Sequence, residues 1–168
     1  MPIYRYFIEF FLCFGAVAAF TVLINSPKST ALASSFIGAV AYVIYRIVFV
    51  NSKREILSYF VAAIAVAVAS EICARIYKKP STIFIFPGII PLVPGLGLYN
   101  SMLALVQNDY NTFTLKATNT LFIAGAIAIA VAIVHVASRS VFPRKSGLVP
   151  FHKLEEIQKN IRDDIEKS

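Results

Sequence analysis

Apolar residues along this chain come in blocks rather than at the spacing of an amphipathic stripe. Four blocks, approximately Tyr4–Ile24, Ala31–Val50, Ile56–Ile76 and Phe113–Ser138, can each cross a hydrocarbon core of about 30 Å as a helix of roughly 20 residues. A fifth, Ile83–Val106, matches them in length and apolarity but contains Pro87, Gly88, Pro91, Pro94, Gly95 and Gly97. Each interior proline removes an i to i−4 hydrogen bond and costs about 3 kcal/mol. The pattern therefore predicts a broken span or a re-entrant hairpin, with its irregular backbone shielded from lipid.

The expected fold class is an all-α integral membrane protein with four to five transmembrane helices, one broken or re-entrant at the Pro/Gly-rich segment, plus a short C-terminal cytosolic helix. Three regions follow: a transmembrane domain over 1–138, a basic linker over 139–150, and an amphipathic helix over 151–168. That last helix carries Phe151, Leu154, Ile157, Ile161 and Ile165 on one face and i,i+4 charge pairs such as Glu155–Lys159 on the other. The first block follows Arg5 as a signal peptide would. Its apolar stretch is longer than a signal-peptide core and no A-x-A site follows, so it reads as a retained helix.

Composition agrees with the pattern. Hydrophobic residues make up 58% of the chain, charged residues 15%, and the mean hydropathy is +0.71; a soluble domain has about 25% charged residues. The net charge of +7 is mostly lysine and arginine in loops, with no basic stripe interleaved with aromatics, so no nucleic-acid partner is expected. Cys13 and Cys73 lie inside spans without metal-ligand spacing and read as packing residues. No cofactor is expected. The spans hold no Ser/His/Asp, HExxH or paired-aspartate arrangement, which argues against an enzyme.

Orientation follows from lysine and arginine, because positively charged short loops stay cytoplasmic. If the broken segment crosses, the N-terminal side carries Arg5, Lys53 and Arg54, and the other carries Lys28, Lys78, Lys79, Arg139, Arg144 and Lys145. If it turns back, Arg139, Arg144 and Lys145 change sides. Both cases predict a multi-pass protein of the cell membrane with a cytosolic C-terminus, and they disagree about the N-terminus. The basic linker suits contact with membrane lipid headgroups.

A charge at the bilayer centre costs at least ~2.5–3.5 kcal/mol, so ionisable residues within spans are candidates for function. Glu9 has Arg5 four residues before it, and Arg46 and Lys116 lie close enough to span ends to snorkel. Glu71 lies roughly 8 Å inside its helix end by the rise per residue. It is either a self-paired salt bridge with Arg75 at i,i+4 or a proton or substrate site. His135, near the end of the last span, reads as a satisfied interfacial residue.

The broken segment carries the candidate substrate chemistry. Interrupted membrane helices free backbone N–H and C=O groups, which transporters aim at charged substrate groups. Pro91 and Pro94 make the break, and Gly95 and Gly97 permit left-handed or closely approached backbone. Tyr99, Asn100 and Ser101 offer side-chain hydrogen bonds beside it, while Thr118, Asn119 and Thr120 form a polar patch early in the last span.

The string Pro87-Gly88-Ile89-Ile90-Pro91-Leu92-Val93-Pro94-Gly95, followed by Tyr99 and Met102, resembles the proline-glycine signature of the threonine/serine exporter family in its short, transmembrane-only form. Asn25-Ser26-Pro27, Gly38 and Thr118-Asn119-Thr120-Leu121 resemble further features of that form, so the likeness covers roughly Phe11–Val136. It implies export of threonine and serine, or of a small dicarboxylate, coupled to the proton motive force. It also implies that 1–138 is half of a transporter and that a larger membrane subunit supplies the rest. The helix at 151–168 departs from the family. The alternative function is a membrane scaffold or accessory subunit without its own transport site, which would not need the broken segment.

Overall fold

The structure, a computed structural model, describes residues 4–141, and every regular element among them is helical. The helices are α1 (Tyr4–Leu23), α2 (Lys28–Ser52), α3 (Glu55–Ile76), α4 (Thr82–Ile89), α5 (Gly95–Val106) and α6 (Tyr110–Val141), with a 3₁₀ turn at Ile90–Leu92 after α4. Four of them are long and apolar enough to cross a membrane, and the bent pair Thr82–Leu92 and Gly95–Val106 makes a fifth candidate. The expected fold class is thus found. The last helix starts at Tyr110, three residues before the apolar block, and runs on to Val141, into the region expected as linker. The linker beyond Val141 and the amphipathic helix at 151–168 lie outside the described residues.

Short turns join the helices, and each of four contains one left-handed residue: Asn25, Lys53, Lys78 and Asn108. Three of them close their helix with a paired Schellman pattern. After α1, for example, Ser26 N donates to Thr21 O and Asn25 N to Val22 O, which satisfies carbonyls the helix end would orphan. Asn25 and Asn108 suit this position, since asparagine tolerates positive φ better than most residues.

Small side chains set the packing. Ala39, Ala41, Ala62, Ala63, Ala67, Ala74 and Ala130 are buried beside Val17, Val66, Phe84 and Leu92. A Cβ on Gly38 would lie 3.0 Å from Val17 and 3.4 Å from Gly88 O, and one on Gly88 would lie 3.1 Å from Val66 and 3.2 Å from Ile37. The backbones of α2 and α4 therefore cross almost in contact, the kind of approach that small residues allow between membrane helices. Outside this core most large apolar side chains point outward, among them Phe11, Leu12, Leu32, Leu121, Phe122 and Val136. Lipid or other spans must cover them.

Two contacts fix the relation of α3 to α6. Asn119 Nδ2 donates to Glu55 Oε2 at 3.2 Å, and His135 Nδ1 lies 3.0 Å from Glu71 Oε1. Both helices advance sixteen residues between the two contacts (55 to 71, 119 to 135), about 24 Å at ~1.5 Å per residue. They run parallel. The intervening chain must then return from one end of the bundle to the other, and α4 and α5 make that passage. At roughly 16 and 18 Å long and with a 53° bend, the two pieces reach about 30 Å end to end, a bilayer core's thickness.

Candidate transport site

Each proline of the broken segment removes a donor from the carbonyl four residues earlier, so the carbonyls at risk are Ile83, Pro87 and Ile90 O. All three have partners. Ile90 N donates to Pro87 O, Val93 N donates to Ile90 O at 3.1 Å, and Ser34 Oγ of α2 approaches Ile83 O at a long 3.5 Å. Gly95 N bonds Val93 O at 2.7 Å, and Leu98 N bonds Pro94 O at 3.1 Å as α5 begins. The break closes on itself through 3₁₀ turns and one serine. The carbonyls that the three prolines strand are each paired within the protein.

The two glycines differ. No described glycine has positive φ, and a Cβ on Gly95 would meet nothing within 4 Å. Left-handed or crowded backbone is therefore not what Gly95 supplies. A Cβ on Gly97 would lie 2.5 Å from Thr120 Oγ1, so here α5 and α6 touch through a bare backbone position. Pro94 is buried and Pro91 half-buried, Asn100 is half-buried, and the Tyr99 ring is exposed. Ser101 is buried with its hydroxyl donating to Leu98 O at 2.8 Å, as Thr120 donates to Lys116 O at 2.7 Å. Of the expected site residues, Gly97 meets Thr120 of α6, while the neighbouring Asn119 reaches Glu55 of α3 instead. A cleft between α3 and α6 opens at that contact, with Arg54, Glu55, Phe60 and Asn119 on its walls.

Sixteen residues along α3, Glu71 is the centre of a second polar cluster. Its side chain is 15% exposed, and its Oε1 lies 3.0 Å from His135 Nδ1 of α6, while the Ser138 hydroxyl donates to His135 O at 3.2 Å. One carboxylate thus ties α3 to α6. Arg75 reaches Ser138 O at 3.3 Å. Helical spacing suggested Arg75 as the partner of Glu71 and an interfacial role for His135. In the structure Glu71 bonds His135 of α6, which is thereby satisfied, with its Nδ1 3.0 Å from Oε1. Beside this cluster, Ser70 Oγ is buried without a hydrogen-bond partner.

Glu9 is corrected in the same way. It pairs with Arg46 of α2, Nε to Oε2 at 3.0 Å and Nη2 to Oε1 at 3.0 Å, rather than with Arg5. The bidentate geometry joins α1 to α2 and neutralises both charges, so Arg46 need not snorkel. Cys13 and Cys73 are free thiols, both partly buried.

No curated protein and no solved structure matches the chain. The family described as Threonine/Serine exporter, ThrE, matches residues 9–137, a stretch that holds the broken segment, the Gly97–Thr120 contact and both α3–α6 contacts. The chain is a membrane transport protein of exporter type and belongs to the threonine/serine exporter family.

Proposed function

We propose that this chain is the small subunit of a two-component secondary exporter in the cell membrane, moving threonine and serine, or a small dicarboxylate, at the expense of the proton motive force. The observation that carries the reading is the bent α4–α5 passage inside a bundle of the exporter family. A span that crosses with a 53° bend, its proline-stranded carbonyls paired within itself or with Ser34 of α2, reads as a hinge rather than a ligand cage. It lets α5 move against α6 about Gly97 while α4 stays packed on α2 and α3. Pro91, Pro94 and Gly95 act as that hinge, and solute contact falls to the side of α6 that bears Asn119, with Tyr99 and Asn100 lining the path of α5.

Five crossings leave three basic residues on the N-terminal side (Arg5, Lys53, Arg54) and six on the other, which supports an external N-terminus and a cytosolic C-terminus. Glu71 then lies near the cytosolic end. We assign proton coupling to the Glu71–His135 pair, since a carboxylate–imidazole contact inside a span can hold or release one proton. A larger membrane subunit of the same family completes the transporter and covers the outward apolar faces of α5 and α6.

Co-expression with a larger family subunit, followed by efflux of serine, threonine and succinate from preloaded cells, tests the reading. Efflux should require both chains. Equal flux from this chain alone, or none from the pair, would count against it.

A further inference from the structure

We propose that the cleft between the start of α3 and the middle of α6 binds the zwitterionic head of a free α-amino acid. The cleft measures about 530 Å³, and its walls carry Arg54, Glu55 and Asn119 beside the apolar Ile56, Leu57 and Phe60. An α-amino acid presents an ammonium and a carboxylate on one carbon, so its site needs one anion and one cation side by side. Glu55 and Arg54 are consecutive and supply them.

Each group has capacity left. Glu55 Oε2 accepts one bond from Asn119 Nδ2 at 3.2 Å, which orients the carboxylate and leaves its other oxygen and the Asn119 carbonyl for ammonium protons. Arg54 lines the cleft and takes part in neither ion pair found among the described residues, so its planar fork can meet a carboxylate there. No side chain caps the N-terminus of α3, and the unpaired N–H groups of its first turn add positive potential on the same side. Phe60 and Leu57 offer apolar contact to a short side chain. A dicarboxylate fits this set poorly, because its second carboxylate would meet Glu55. An ethanolamine phospholipid head has the same paired charges, and the proposal commits to the free amino acid.

The proposal rests on the export reading for its purpose, while binding to the chain itself is measurable without transport. The experiment is binding of radiolabelled L-threonine to the full chain in phosphatidylcholine nanodiscs. Saturable binding displaced by L-serine but not by succinate is expected. Glu55→Gln and Arg54→Gln should each weaken it by at least about tenfold, as loss of a charged hydrogen bond does. Arg54→Lys should fall between, and Lys53→Gln, which removes a neighbouring charge outside the cleft, should bind as the native chain does. Thermal unfolding of each variant verifies that it is folded. Undiminished affinity in both charge variants, displacement by succinate as strong as by serine, or loss of binding when phosphatidylethanolamine is added to the disc would each overturn the proposal. Amino-acid export by cells carrying Glu55→Gln at the native rate would remove the cleft and leave the exporter reading standing.

Discussion

Gly95 and Gly97 sit two residues apart at the start of α5 and answer differently to a side chain. Gly97→Ala forces a methyl to within 2.5 Å of Thr120 Oγ1, an overpacking that should cost about 1–3 kcal/mol. Thr120→Ala in the same chain should restore most of it, and thermal unfolding of the solubilised protein reads both. Gly95→Ala meets open space and should be neutral or stabilising by up to about 1 kcal/mol, the helix-propensity difference. Nothing in the string Gly95-Leu96-Gly97 separates the two, because the partner that distinguishes them is twenty-three positions away at Thr120. Glu71 shows the same limit. Its depth in a span marked it as a candidate, but His135 is 64 residues distant and helical spacing pointed to Arg75. Glu71→Gln should abolish gradient-driven export while leaving downhill exchange, and His135→Gln should do the same. Loss of thermal stability with normal coupling in both variants would reduce the pair to a helix tie.

At the level of elements, the apolar blocks gave helix positions to within a few residues, since a bilayer imposes a length that composition alone must meet. The caps were less visible. Asp109 accepts from Thr112 N at 3.1 Å through Oδ1, and Phe113 N bonds its carbonyl, so it caps α6 and moves the helix start ahead of the apolar block. The Thr112 hydroxyl and backbone N–H hold the Asp109 carboxyl below the usual carboxylate range. A carboxyl whose folded pKa is depressed stabilises above its unfolded value near ~3.9 and loses that contribution as pH falls through the folded pKa. Asp109→Asn should therefore flatten the acid limb of the unfolding profile below about pH 4 and leave neutral pH little changed. The prolines of the broken span were plain in the sequence, whereas the fate of their carbonyls depended on 3₁₀ geometry and on Ser34 of another helix. Replacing Pro91 and Pro94 together by alanine should let the span become continuous helix, with expression kept and export lost. Export at the native rate in that variant would favour the scaffold alternative.

For the whole molecule, charge counting predicts a cytosolic C-terminus and leaves the N-terminus undecided, because the answer turns on whether α4 and α5 cross. The parallel run of α3 and α6 supplies the missing parity. A cysteine-free chain carrying Asn108→Cys should be labelled by a membrane-impermeant maleimide added to intact cells, and one carrying Lys78→Cys should not. The reverse pattern would invert the orientation. An odd number of crossings also bears on symmetry. A second half of the same design joined after this one would begin on the opposite side of the membrane and insert upside down, so the two would be related by a two-fold axis lying in the plane of the membrane. Each half could then offer the same hinge to opposite faces, and a rocking motion that opens one would close the other. An even-numbered half could repeat only in the same orientation and would lack that exchange of roles.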